Sequence, residues 1–323
     1  MKTIAEKIDV SFNEHSIQTS RVVGEIGVPG SGNTVLLLSG VHGNEPLGIL
    51  AVQRVFNQIT VQNIKVKGYA RAIVGNMEAN RLGQRFLHKD LNRLWTRHNL
   101  DDLHYNKLDL HHTEYREMRQ VYDILQEMLA ENKGEFFVLD LHTTSSATIP
   151  FIVTNRVDKC AAYVDLFPMP SISGLTGFLD GTFLSYINEL GHVGLAYEAG
   201  QHQSPISLNR FESFIWLSLM NAGLLPEVDD SFRQFHYESL VEELTTRNKS
   251  FKIISRYHIS EGEEFAMLPG FTNFQKINAG DLLAQNKNGP IISPYDGFIF
   301  MPLYQSQGDD GFFIIVPSEA EKY

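Results

Sequence analysis

The chain has 323 residues, enough for about two domains of ordinary size. With 43% hydrophobic and 20% charged residues it can bury a sizeable core, which excludes intrinsic disorder, and no apolar run is long enough to cross a bilayer. A formal charge of -11 and a lone cysteine, Cys160, argue against a nucleic-acid partner and exclude an internal disulfide or a Cys-rich zinc module.

The N-terminus, Met1 to Lys7, lacks the apolar core of a secretory signal, so a soluble cytoplasmic protein without a membrane partner is expected. Assembly into a homo-oligomer is compatible with the sequence. Thr34 to Ser39 (TVLLLS) reads as the first buried strand, bounded by Gly and Asn turn signals. It runs into Gly40-Val41-His42-Gly43-Asn44-Glu45, where the two-residue spacing lets one turn aim His42 and Glu45 at a single point. The same spacing also suits an ordinary surface pair.

Val66 to Val74 is a second strand candidate. The stretch Arg85-Phe86-Leu87-His88-Lys89-Asp90-Leu91-Asn92-Arg93 follows it. Arg85 offers a planar fork for a carboxylate or a carbonyl oxygen, and Asn92 a donor beside it; a solvated loop is the plainer reading. Between Thr113 and Asn132 the apolar residues Met118, Val121, Tyr122, Leu125, Met128 and Leu129 fall three or four apart, which predicts an amphipathic helix.

Phe136 to Leu141 (FFVLDL) is the third strand and delivers His142 in Asp140-Leu141-His142-Thr143-Thr144. Two imidazoles and a carboxylate suit catalytic zinc with a position left open. The same donors also suit non-haem iron. Both clusters sit at strand C-terminal ends, where open α/β sheets bind ligands. Asp140 either orients a ligand or merely finishes the strand.

Phe151 to Thr154 and Val193 to Tyr197 complete the strands, and Glu198 at the last strand end is placed to act as a general base or to pair with a lysine. Ser207 to Leu224 predicts another helix. His88, His98, His104, His111, His112 and His258 lack strand-end placement and read as surface or structural residues, and Cys160 as a small buried one. Alternating strands and helices predict an α/β domain with a mainly parallel sheet covered on both faces. After Pro226 comes a charge-rich connecting segment, then short β-type runs from about Phe251. Domains are therefore expected at 1–225 and 251–323, joined by 226–250.

Taken together, GVHGNE (Gly40–Glu45), RFLHKDLNR (Arg85–Arg93), DLHTT (Asp140–Thr144) and YEAG (Tyr197–Gly200) resemble the succinylglutamate desuccinylase/aspartoacylase family, a branch of the zinc carboxypeptidase-like hydrolases. They stand in the family's order and span most of residues 30–225. The resemblance implies a carboxypeptidase-like mixed sheet flanked by helices, and one Zn2+ held by His42, Glu45 and His142. It implies Glu198 as general acid/base acting on a metal-activated water, Arg85 polarising the scissile carbonyl, and Asn92 and Arg93 holding the substrate carboxylate. The implied reaction is deacylation of a small N-acyl amino acid.

The aspartoacylase branch carries an arginine about three helical turns before the catalytic Glu. Thr182 to Asn188 contains none, which argues against N-acetylaspartate, and Tyr304 is the nearest candidate for that branch's C-terminal tyrosine. The C-terminal region resembles the family's small lipoyl-like β-barrel, without a lysine in Pro294–Gly297 for a carrier role, and is expected to border the active-site mouth. The competing readings are a metallocarboxypeptidase acting on peptides, a non-haem iron enzyme and a non-enzymatic binding module.

Overall fold

A computed structural model of the chain describes residues 20–154, 158–242, 244 and 250–318; Met1 to Lys7 and part of the connecting segment lie outside the described residues. In chain order the elements are β1 (Val22–Gly27), β2 (Thr34–Ser39), α1 (Leu47–Val61), β3 (Tyr69–Val74), α2 (Met77–Leu82), α3 (Arg97–His104), α4 (Thr113–Glu131) and β4 (Phe136–Thr144). Next come β5 (Phe151–Val153), α5 (Asp158–Val164), β6 (Ser171–Ser173), α6 (Phe183–Glu189), β7 (Val193–Gln201), α7 (Pro205–Asn221) and α8 (Asp230–Val241). The C-terminal strands are β8 (Ser250–His258), β9 (Ala266–Met267), β10 (Gln275–Ile277), β11 (Leu282–Asn286), β12 (Gly289–Ile292), β13 (Gly297–Phe300) and β14 (Asp310–Pro317).

The strands of the larger sheet lie in the order β1-β3-β2-β4-β7-β5-β6-β8-β14-β13-β10. Its centre, β3-β2-β4-β7, is parallel, and β1 and β5 join it antiparallel, so the sheet is mixed. Both faces of the centre are covered, as a parallel sheet requires. Val35, Leu37, Phe137, Leu139, Leu141, Leu195 and Tyr197 pack with α1 and α7 on one side. Leu36, Leu38, Phe136 and Val138 pack with α4 and α6 on the other.

The expected strands are present, with β3 starting at Tyr69 rather than Val66 and β4 and β7 running past Leu141 and Tyr197. Helix α1 adds to the elements expected from the sequence: Leu47, Ile49, Ala51, Val52, Val55, Phe56 and Ile59 are buried, while Asn57, Gln58 and Thr60 are exposed. Burial against β2, β4 and α7 explains that pattern.

Strand pairing does not set the C-terminal strands apart as a closed barrel. Strand β8 pairs parallel with β6 and carries β14, β13 and β10 onto the edge of the large sheet, while β12-β11-β9 forms a separate small sheet. The join is apolar: Phe251, Phe274, Phe300 and Phe313 share one buried cluster with Phe151, Val153 and Leu184.

The loop after β2 is fixed by close backbone approach. Gly40 has φ +61, and its carbonyl accepts Nδ2 of Asn80 from α2 at 2.6 Å. Gly43 lies so near α2 that a Cβ would sit 2.0 Å from the Ala79 carbonyl carbon. Gly43→Ala should therefore destabilise the fold by about 3 kcal/mol or more, because backbone cannot yield like a side chain. Gly177→Ala, with nothing within 4 Å of its Cβ, should stay within about 0.5 kcal/mol of the parent. Thermal unfolding of the two variants checks this; equal midpoints would contradict the close approach.

Candidate metal centre and active site

Alternation along the two central strands decides which side chains reach the site. Phe137, Leu139 and Leu141 face α1 and α7, so Asp140 and His142 face the opposite side. On β7, Leu195, Tyr197 and Ala199 take the first face, leaving Ala196 and Glu198 on the second. The parallel register then sets His142 directly opposite Glu198.

His42 and Glu45 arrive from the loop after β2, and all three metal-ligand candidates are buried. One ligand atom from each of His42, Glu45 and His142 can be chosen so that all lie within 4.8 Å of one another. His42 Nδ1 is 2.9 Å from Glu45 Oε1, and His142 Nδ1 is 3.3 Å from Glu45 Oε2. The Thr143 N–H donates to Glu45 Oε2 at 2.8 Å and fixes that carboxylate.

The outer nitrogens face carboxylates. His42 Nε2 donates to Asp90 Oδ1 at 3.0 Å, and His142 Nε2 lies 3.0 Å from Asp140 Oδ1 without hydrogen-bond alignment. A carboxylate on Nε2 holds an imidazole so that Nδ1 presents its lone pair inward, the arrangement metal-binding histidines use. Sequence reasoning left Asp140 open between orienting a ligand and finishing a strand; its distance to His142 favours the first. Asp90 was missed as an orienting group, although it lies inside the Arg85–Arg93 stretch.

Burial opposes ionisation of Glu45, yet His42 and His142 hold its carboxyl well below the usual carboxylate range. Burial likewise opposes charge on Asp90, and His42 and Arg85 hold it low. Against the same burial, Asp140 and Glu45 push the His142 imidazole well above its ordinary value. Glu198 goes the other way: burial pushes its carboxyl up to about 8, with His142 opposing.

Arg85 donates from Nη2 to Asp90 at 3.1 Å and approaches Glu45 at 3.6 Å. Its loop is tied to α4 by buried Glu114, whose Oε1 accepts the N–H groups of Leu87 and His88 at 2.7 and 3.2 Å. Asn92 Oδ1 accepts the Phe183 N–H at 2.9 Å, which fixes the amide and leaves Nδ2 available. Arg93 donates from Nη2 to Asp310 on β14 at 2.7 Å.

His42, Arg85, Asn92, Arg93, His142 and Glu198 line a single cleft. Glu45 sits just beneath it. The six histidines without strand-end placement are exposed, and Cys160 is buried, both as expected. Tyr304 is not on the cleft: its hydroxyl donates to the Leu268 carbonyl at 2.7 Å and accepts from Phe271 at 3.0 Å. Its neighbour Gln305 lines the cleft instead and accepts from Asn44 at 3.1 Å. His202, also unread in the sequence, backs the site through Thr143 at 2.7 Å, and burial keeps its imidazole below the ordinary value.

The donor set fits a divalent metal. Two nitrogen lone pairs and a carboxylate converge, and Glu198 Oε2, Arg85 Nε and Arg93 Nε on residues of the same cleft are buried without a hydrogen-bond partner. Among the described residues, no helix is long and apolar enough to cross a membrane.

The family model for the succinylglutamate desuccinylase/aspartoacylase catalytic domain matches residues 31–220. A probable aspartoacylase from a Nostoc species is 26% identical over 279 residues, covering 82% of this chain and 87% of that protein. A succinylglutamate desuccinylase from Serratia proteamaculans is 29% identical over 267 residues, covering 79% and 75%. A crystal structure of succinylglutamate desuccinylase/aspartoacylase from Rhodobacter sphaeroides shares the fold at a TM-score of 0.64 and 18% identity, covering 90% of this chain and 87% of that one. With the His42–Glu45–His142 cluster at the strand ends and the family model spanning more than half its length, the chain belongs to the succinylglutamate desuccinylase/aspartoacylase family.

Proposed function

We propose that the chain is a zinc-dependent amidohydrolase that splits a small N-acyl amino acid into a carboxylate and an amine. One observation carries this reading: His42 and His142 of the buried His42–Glu45–His142 set line the same cleft as Glu198 and Arg85. His42, Glu45 and His142 would hold one zinc ion per chain. When bound, zinc supplies Lewis acidity and makes hydroxide accessible near neutral pH.

The chain's own groups divide the remaining work. Glu198, opposite His142 in the ladder, takes the proton of the attacking water and returns it to the amine nitrogen as the C–N bond breaks. Arg85, held in place by Asp90, receives the negative charge that develops on the carbonyl oxygen. Asn92 Nδ2 and Arg93 bind the carboxylate of the amino-acid part.

Residues 1–225 form the catalytic unit in this reading, 226–250 the connection, and 251–323 a lipoyl-like β unit. The two C-terminal sheets facing one another across Ile277, Leu283, Ile291, Ile299 and Phe312 support that last assignment. The C-terminal unit also roofs the cleft, with Met301, Leu303 and Gln305 on its lining, which supports a small substrate over a peptide chain. Hydrolysis of N-acetyl, N-succinyl and N-formyl amino acids by zinc-loaded protein tests the reaction. Activity should vanish with a chelator and return with zinc; activity that needs iron and oxygen instead would defeat it.

Glu198→Gln should keep about one zinc per chain and lose about 10²–10⁴-fold in kcat, since the proton carrier goes and the ligands stay. Near-normal turnover would remove Glu198 from that role. His142→Ala should instead lose most of its metal, read by elemental analysis after dialysis; full zinc content would show that His142 is not a ligand. Arg93→Ala should raise KM about tenfold or more for carboxylate-bearing substrates, and an unchanged KM would take Arg93 out of the clamp.

A further inference from the structure

The cations of the cleft already have partners. Arg85 is held by Asp90 at 3.1 Å and approaches Glu45. Arg93 gives Nη2 to Asp310 at 2.7 Å and Nη1 to the Asn92 carbonyl at 2.9 Å. Its Nε is buried without a protein partner, one donor that can meet one substrate carboxylate. Among the described residues no third guanidinium or ammonium lines the cleft; Asp309 and Asp310 do, and Arg256, off the lining, pairs with both.

The wall beside Arg93 is apolar. Asn92 Oδ1 accepts the Phe183 N–H, and Gly181 packs so closely that a Cβ would lie 2.4 Å from the Arg93 carbonyl oxygen. These contacts set the start of α6, and with it Leu184, next to the clamp. Leu179, Leu184, Val153, Ala196 and Phe313 line the cleft and belong to one buried cluster, so the wall is backed by packed side chains. A second carboxylate placed there would be desolvated with no cation to meet it. An alkyl side chain would leave water for a matching surface.

We propose that the cleft selects N-acyl derivatives of apolar amino acids, with Leu179 and Leu184 contacting the side chain and the Arg93–Asp310 pair limiting the substrate to one carboxylate. The assignment rests on the deacylase reading above and names its substrate class. Leu184 is then a specificity-determining residue.

The test compares kcat/KM of zinc-loaded enzyme on N-acetyl-leucine, N-acetylaspartate and N-succinylglutamate. N-acetyl-leucine should lead by a hundredfold or more. Leu184→Ala should cut the preference for N-acetyl-leucine over N-acetylglycine by about tenfold, as expected when alkyl contacts are lost. N-acetylaspartate, with two carboxylates, or N-succinylglutamate, with three, matching N-acetyl-leucine would overturn the proposal. Calorimetric binding of N-acetyl-leucine and N-acetylaspartate to zinc-loaded Glu198→Gln separates selection from chemistry. Tighter binding of N-acetyl-leucine there, with no hydrolysis by the parent enzyme, would uphold the selection and sink the deacylase reading. Equal or tighter binding of N-acetylaspartate would sink the selection itself.

Discussion

In the β2–β4–β7 ladder, Ser39 lies opposite Leu141, Leu141 opposite Tyr197, and His142 opposite Glu198. That register places three strand ends side by side and sends Asp140, His142 and Glu198 to one face. The apolar residues of the same strands enforce it. A slip of one residue on β4 would turn Phe137, Leu139 and Leu141 away from α1 and α7 and drive Asp140 and His142 into that core. Hydrophobic alternation far from the chemistry therefore fixes which ionisable groups can meet.

Those groups are costly to bury, and their pairing explains why the cluster is built as it is. A buried ion loses several kcal/mol of hydration unless opposite charge and hydrogen bonds compensate. Glu45 lies between two imidazoles and accepts the Thr143 N–H, so it stays ionised. Glu198 has burial as its dominant influence and is shifted upward instead. Two carboxyls in one site are thus pushed apart, which suits the separate ligand and proton-carrier roles proposed for them. Since the ligand set converges only when the loop after β2 meets the end of β4, a metal bound there would be coupled to the stability of this end of the sheet.

Much of this was legible in the sequence because strand ends are marked by composition. TVLLLS and FFVLDL announce buried strands, and the polar residues directly after them are the ones the sheet delivers. His42, Glu45, His142 and Glu198 were readable for that reason. Asp90 was not, because only the fold shows that the Arg85–Arg93 loop passes over His42 at 3.0 Å. Helix α1 carries the same signal as α4, with Val52, Val55, Phe56 and Ile59 three or four apart on a buried face and Asn57, Gln58 and Thr60 exposed, so its periodicity also marks a helix. The C-terminal β character was legible from turn spacing, whereas the pairing of β8 with β6 was not, since sheet partnership is non-local.

That pairing makes the cleft a joint product of both halves of the chain. Strand β14 brings Asp310 to Arg93 and Phe313 to the apolar wall, although residues three apart on a regular strand face opposite sides. The register shift between Asp310 and Phe312 in the β14–β8 ladder reconciles the two. Phe312 and Ile314 turn toward the small sheet, while Phe313 and Ile315 join the cluster behind Leu184. One irregularity therefore sets both the charge left on Arg93 and the surface beside it. Moving β14 by one residue would change both together, so the charge beside Arg93 and the apolar surface next to it are set by a single structural feature.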